Sequence, residues 1–185
     1  MLFESLIPKW IELLNAAVPN ARDLAVLSDP DNLVDSYYWA KTKDAAQRIG
    51  VNVLQFGARK PSELEPAFAD MKRKGIGAVV VMTEAFLTSQ LARIVPLANR
   101  YDLPAIYGYR EFAEAGGMMS YGVSYRDYYK RVARYIDQVL RGTKPADLPV
   151  EQPTRIELVL NQSAARKLGV TIPQSLLLRA DEIIQ

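Results

Sequence analysis

The segment LPAIYGYREFAEAGGMMSYG, residues 103–122, contains the signals on which the fold prediction depends. It begins with an apolar run typical of a buried strand, passes through a polar turn, and reaches a second apolar run after the pair Gly116 and Gly117. Seven of the ten tyrosines of the chain lie between Tyr101 and Tyr129. Because tyrosine combines an apolar ring with a polar hydroxyl, we interpret this segment as the edge of a binding pocket.

The same alternation of apolar runs and helical periodicity continues on both sides of this segment. Apolar runs predict strands at 24–27, 51–56, 78–82, 103–107, 118–121 and 156–160. Apolar residues spaced by three and four predict helices at 4–18, 33–49, 62–74, 86–100, 111–115, 125–140 and 162–168, and an amphipathic turn in the tail. Strands alternating with helices predict one α/β domain over residues 1–185, a three-layer αβα parallel sheet.

Local signals add detail to these elements. Gly50 is expected to end the second helix in a left-handed conformation, and Gly75 to end the third. Ser62 and Glu65 have the spacing of a capping box, and Pro96 predicts a bend inside its helix. Residues 142–153 are rich in proline and have no period, which predicts a long extended loop.

Composition excludes several classes of function. The chain has 23 Lys and Arg against 21 Asp and Glu, and the basic residues are scattered except at Lys72–Lys74, which we interpret as a helix end, so we expect no nucleic-acid partner. It contains no cysteine and no histidine, and no nucleotide-binding or nucleophile motif, so we expect no metal, no cofactor and no enzymatic activity. No run reaches the roughly 18 apolar residues of a membrane span, and the first residues do not resemble an export signal.

The carboxyl ends of parallel strands are where such sheets bind ligands, at the point where the strand order reverses. Ser28 and Asn32 follow the first strand, in a turn that could equally be no more than a helix cap. Thr83 and Glu84 follow the strand AVVVM, where the carboxylate could pair with a ligand ammonium or simply favour a helix start. We predict all four as ligand-binding residues.

The central segment supplies four further candidates: Tyr107, Tyr109, Arg110 and Tyr121. The guanidinium of Arg110 could hold a ligand carboxylate through two parallel hydrogen bonds. The alternative for Arg110 and Glu111 is a surface ion pair of little energetic value.

Several segments together resemble a known family. LPAIYGYREFAEAGGMMSYG, RGTKPADLPVEQPTRIELVLN and SAARKLGVTIPQSLLLRADEII occur in this order, preceded by the shorter LSDPDN. They are similar to ABC-transporter substrate-binding proteins of the group that includes tryptophan- and tyrosine-binding members. The resemblance covers essentially the whole chain.

This resemblance implies one lobe of a type 1 periplasmic-binding-protein fold. In such proteins two α/β lobes close over a small ligand and deliver it to a membrane permease. The chain resembles the carboxyl-terminal lobe with its returning segments, and helix 125–141 is then expected to belong to a first lobe that this chain lacks. Because its apolar face would have no partner here, we expect a homodimer or a domain swap.

The implied function is capture of an amino acid or aromatic carboxylate for ABC import. The location implied for the full-length protein is periplasmic, or extracytoplasmic with a lipid anchor. The resemblance maps the cleft edge of the second lobe onto the eight candidate residues named above. The alternatives are the ligand-sensing domain of a regulator or chemoreceptor with the same fold, and a flavodoxin-like enzyme.

Overall fold

Seven strands form one sheet in the order β2-β1-β3-β4-β5-β6-β7. The computed structural model describes residues 2–151 and 155–185, and side chains from residue 5 onward. The strands are β1 (Asp23–Ser28), β2 (Asn52–Gly57), β3 (Ala78–Val81), β4 (Ala105–Tyr107), β5 (Met119–Val123), β6 (Ile156–Asn161) and β7 (Glu182–Ile184). The predicted strands are all present, and β7 is an addition to them.

Helices precede, follow and connect the strands. They are α1 (Leu2–Ala17), α2 (Asp35–Arg48), α3 (Pro61–Arg73), α4 (Ala85–Ser89), α5 (Leu91–Arg100), α6 (Arg110–Glu114), α7 (Tyr125–Leu140), α8 (Gln162–Lys167) and α9 (Gln174–Leu177). None of the helices in the described part of the chain is long and apolar enough to cross a membrane. The α/β class predicted from the alternation of patterns is confirmed.

The sheet is parallel except at one junction. Neighbouring strands pair in parallel throughout, apart from β5 and β6, which are antiparallel with Val123 opposite Ile156. The chain leaves the end of β5 through α7 and returns to the same end, so β6 starts there and must run backwards. The strand order reverses between β1 and β3, which marks the position where a ligand site is expected.

The helix α1 supplies a large part of the core. Its apolar face is buried, as its spacing predicts, through Leu6, Ile7, Trp10, Ile11, Leu13, Leu14 and Ala17. The indole nitrogen of Trp10 donates a hydrogen bond to the Tyr121 carbonyl oxygen at 2.6 Å. This bond ties α1 to β5 and satisfies a polar group that burial would otherwise penalise.

Two local predictions are wrong. The helix α3 begins at Pro61 with Lys60 as the N-cap and has no side-chain cap, so Ser62 lies inside the helix and forms no capping box. The single helix predicted at 86–100 is divided at Gln90 into α4 and α5. The helix α5 continues through Pro96, and the bend expected there stays a prediction.

The glycine predictions are confirmed, because Gly50 and Gly75 both have a φ of +71°. In this left-handed conformation glycine has no steric penalty, whereas other residues do. The predicted loop contains a short 3₁₀ turn at Pro145–Asp147. Its residues 152–153 lie outside the described residues.

The helix α7 is amphipathic, yet none of its residues is buried. Its Ser124 N-cap accepts a hydrogen bond from the Asp127 backbone N–H. The large exposed apolar side chains of this helix are Tyr128, Tyr129, Ile136, Val139 and Leu140. We call these residues the α7 face.

Candidate functional site

A cavity of about 190 Å³ lies at the carboxyl ends of β1 and β3, where the strand order reverses. Three of the predicted site residues, Asn32, Thr83 and Glu84, line it together. The other lining residues are Ile7, Trp10, Val34, Tyr38, Met82 and Ala85. The cavity therefore combines two aromatic side chains with a small set of polar groups, which is the usual composition of a small-molecule site.

Glu84 is the charged residue of this cavity wall. Its side chain is buried, with 6% of the residue surface exposed. Atom Oε2 accepts a hydrogen bond from the Asp29 backbone N–H at 2.5 Å, whereas Oε1 is buried and has no hydrogen-bond partner. A buried acceptor without a partner costs free energy, so a donor that reached this oxygen would stabilise the site.

Burial raises the pKa of Glu84 from 4.5 to about 7. The negative charges of Asp35 and Asp29 add to this rise, whereas the hydrogen bond from the Asp29 backbone N–H and the nearby polar side chain of Asn32 oppose it. Desolvation dominates because the carboxylate form loses its water on entering the folded chain. Near neutral pH the group is therefore balanced between its two protonation states.

This pKa predicts a pH dependence of stability. Between pH 4.5 and about 7 the folded chain keeps a proton on Glu84 that the unfolded chain has lost. The free energy of unfolding therefore falls as pH rises through this window, and the contribution of Glu84 becomes constant above it. We expect a fall on the order of 1–3 kcal/mol from this one residue.

Urea unfolding at a series of pH values measures the effect. The control is Glu84→Gln, which keeps the size of the side chain and does not titrate. The free energy of unfolding of the variant minus that of the parent protein should rise as pH rises from 4.5 to about 7, because only the parent loses stability through Glu84. A difference that is independent of pH would contradict the elevated pKa.

Ser28 lies next to the cavity but does not line it. The side chain is buried, and its Oγ accepts a hydrogen bond from Gln55 Nε2 at 3.1 Å. The same amide nitrogen donates to Asp35 Oδ2 at 2.9 Å. Ser28 therefore connects β1, β2 and α2 behind the cavity.

The two tyrosines at the end of β4 point into the protein interior. Tyr107 is 1% exposed and its ring stacks on Phe112 with ring centres 4.6 Å apart. Tyr109 stacks on Tyr125 at 4.2 Å. Burial raises the pKa of both hydroxyls, and for Tyr109 its hydrogen bond with Tyr125 adds to the rise. Neither residue lines the cavity at β1 and β3.

Arg110 is held by three carboxylates. Its guanidinium donates to Glu114 at 2.9 Å, to Glu157 at 2.9 Å and to Glu182 at 2.7 Å. The hydrogen bond to Glu114 and then that to Glu182 raise the pKa of Arg110. Glu111 is not among these partners, so the ion pair considered from the sequence is replaced by contacts to β6 and β7. In this arrangement Arg110 joins three elements and does not line the cavity.

Tyr121 is half-buried on β5 and contributes its backbone carbonyl to Trp10. Nearby, the backbone of Gly122 approaches Gly108 so closely that a Cβ on Gly122 would lie 1.8 Å from the Gly108 oxygen. This contact lets β5 pack directly against the turn that follows β4. Tyr107 and Tyr109 are packed in the interior, and the cavity lies further along the sheet, so the ligand-binding role of these tyrosines stays a prediction.

Sequence reasoning missed most of the apolar wall of the cavity. Ile7 and Trp10 belong to the apolar face of α1, and Val34 and Tyr38 lie at the start of α2. Apolar periodicity assigns all four to a helix face, and periodicity does not separate a core position from a cavity wall. Only their position beside the cavity in the tertiary structure identifies them.

The described residues include no group of three or more Asp and Glu side chains that could hold a metal ion. The residues that line the cavity offer hydrogen-bonding groups, one carboxyl group and apolar contacts. The arrangement is suited to holding a small solute.

Comparison with known proteins identifies a family and several similar proteins. A family described as ABC transporter substrate binding protein matches residues 4–184. A tyrosine-binding protein of Clostridioides difficile strain R20291 is 22% identical over 164 residues, covering 89% of this chain and 47% of the relative. The chain thus spans about half the length of that relative.

Two solved structures are similar over nearly all of the chain. One is an ABC domain in complex with L-Trp from Streptococcus pneumoniae, with a TM-score of 0.82 and 26% identity, covering 96% of this chain and 62% of that one. The other is a conserved domain protein from Vibrio cholerae O1 biovar El Tor, with a TM-score of 0.82 and 24% identity, covering 96% and 60%. The similarity supports the type 1 periplasmic-binding-protein fold.

Proposed function

Because the chain belongs to the ABC transporter substrate-binding protein family, we propose that it captures a small organic solute for import. The observation that carries this proposal is the cavity at the strand-order reversal, where Asn32, Thr83 and Glu84 meet the rings of Trp10 and Tyr38. Polar groups set into an apolar wall bind small molecules with a defined orientation. Family membership alone would not specify where on this chain the site lies.

We propose an amino acid or a related aromatic acid as the solute. Tyr38, which is partly buried, and Trp10, which is 1% exposed, line the cavity, so the aromatic contact offered to a ring or an apolar side chain comes mainly from Tyr38. The relatives point the same way, because one is named as a tyrosine-binding protein and one was solved with L-Trp.

We further propose that the cavity is one wall of a cleft between two lobes. A cavity of about 190 Å³ open on one side would then be completed by a second wall that excludes water. In the same arrangement the α7 face would pack on the other lobe in the full-length protein. A membrane permease and an extracytoplasmic location belong to this proposal.

The test uses the chain and a panel of amino acids, aromatic acids, sugars and inorganic anions. Binding to one wall is expected to be weak, so two-dimensional NMR titration at millimolar solute is suitable for a 20.7 kDa protein. Amino acids or aromatic acids should shift the signals of Asn32, Thr83 and Glu84, with smaller changes at remote residues. Shifts caused only by sugars or anions, or by no solute at all, would contradict the proposal.

For this chain we propose a second copy as the partner of the α7 face. Tyr129 is 64% exposed and Leu140 is 81% exposed, and both lie on one side of the helix with Ile136. Apolar side chains of this size in one stripe favour association in water. We expect sedimentation velocity to show a concentration-dependent dimer.

The variant Ile136→Glu should shift the population towards monomer by placing a charge in the apolar stripe. Gln138→Glu is the matched control, because it adds the same charge on the opposite side of the helix and should leave association unchanged. A parent protein that stays monomeric at high concentration would contradict this prediction.

A further inference from the structure

The cavity wall has one sign of charge. Its one charged lining residue is Glu84, and the lining residues include no lysine or arginine. Asp29 and Asp35 act on Glu84 as further negative charges. Arg110, the cation predicted from the sequence to hold a ligand carboxylate, is engaged by Glu114, Glu157 and Glu182.

Glu84 also has a hydrogen-bonding position that the described residues leave unused. The group is more than nine-tenths buried, and its Oε1 has no partner while Oε2 is fixed by the Asp29 N–H. The Oε2 bond fixes the orientation of the carboxyl group without consuming its second oxygen. A donor with a positive charge would satisfy Oε1 and neutralise the group at the same time.

We infer that Glu84 selects a solute that carries a protonated amine, and that it discriminates against solutes of the same shape that carry only a carboxylate. This inference rests on the proposed function and narrows its ligand class. An amino acid or an arylalkylamine would place its ammonium at Glu84 and its apolar part against Trp10 and Tyr38. A carboxylate placed there would face a like charge without a cation in the wall.

Three related probes separate the two ends of the solute. L-Tryptophan carries both charged groups, tryptamine lacks the carboxylate, and indole-3-propionate lacks the amine. L-Tryptophan and tryptamine should bind to the parent protein at least roughly 10-fold more tightly than indole-3-propionate, because only these two can donate a charge-assisted hydrogen bond to Glu84. NMR titration measures each dissociation constant.

The decisive variant is Glu84→Gln. A glutamine oxygen can still accept the bond from the Asp29 N–H, so the fold should be kept, and circular dichroism checks this. The variant should weaken both amines roughly 10- to 100-fold and leave indole-3-propionate unchanged or improved. The control Asp31→Asn removes a charge from an exposed pair with Arg59 and should change none of the three affinities.

A second measurement identifies a direct contact rather than a structural role. In the parent protein, affinity for the amines should fall as pH drops below about 7, because Glu84 takes up a proton while the amines stay charged. The Glu84→Gln variant should lack this dependence. Asp29, Asp35 and Tyr38 remain in both proteins, so their titration cancels in the comparison.

The outcomes separate the inference from the proposed function. If L-tryptophan and indole-3-propionate bind equally and Glu84→Gln changes neither, the inference is overturned while solute capture stands. If no amino acid or aromatic acid binds, the proposed function fails and the inference fails with it.

Discussion

Replacing Gly122 by alanine should lower the free energy of unfolding by about 3 kcal/mol or more. The added Cβ would lie 1.8 Å from the carbonyl oxygen of Gly108 and 2.8 Å from its carbonyl carbon. Both are backbone atoms, so no rotation of a side chain relieves the overlap. The strands β4 and β5 would have to separate at the centre of the tertiary structure.

Further variants test this explanation by urea unfolding. Gly169→Ala is the control for backbone conformation alone, because Gly169 has a φ of +70° and open space around it, so about 1 kcal/mol is expected. Gly108→Ala meets mainly the Cγ2 atom of Thr83, at 1.8 Å. Adding Thr83→Ser removes that methyl group and should recover part of the loss at Gly108, but none at Gly122. Equal recovery at both glycines would contradict the backbone overlap.

Replacing Arg110 by methionine should lower the free energy of unfolding by about 3 kcal/mol. Methionine keeps much of the apolar stem but removes the charge that Glu157 and Glu182 share. The side chain of Glu157 is 7% exposed, so its carboxylate would remain buried, and among the described residues it would keep the longer ion pair to Arg155, at 3.9 Å. A buried charge that loses its close partner costs far more than the loss of a surface ion pair.

The matched control is Arg134→Met, which breaks an exposed pair with Glu151 and should cost about 0.5 kcal/mol or less. The double variant Arg110→Met with Glu157→Gln should recover part of the loss, since it removes the stranded charge. Urea unfolding followed by circular dichroism measures all four proteins. A stability of Arg110→Met equal to that of the parent would mean that the guanidinium does not join α6 to β6 and β7.

Prediction from the sequence was most successful for elements whose signals are local. Apolar runs and helical spacing identified every strand from β1 to β6, and α7 has the bounds that its periodicity predicts. The short strand β7, Glu182–Ile184, was missed because it is too short to have a period of its own. Its existence depends on pairing with β6.

The candidate site was predicted only in part. Asn32, Thr83 and Glu84 come together because the carboxyl ends of β1 and β3 are neighbours, which the general rule for parallel sheets anticipates. The rule does not specify on which face each side chain lies. Tyr107 follows the same rule in sequence and is nevertheless buried against Phe112.

By itself, the sequence determined the α/β class, most of its elements and the edge of the sheet where a site should lie, because periodicity and turn residues act over a few neighbouring positions. The tertiary structure alone decided the chemistry of that edge. It engaged Arg110 with partners 47 and 72 residues away, brought Trp10 to the cavity, and left one oxygen of Glu84 without a partner. These outcomes depend on strand order and on packing between distant segments, and no local pattern encodes them.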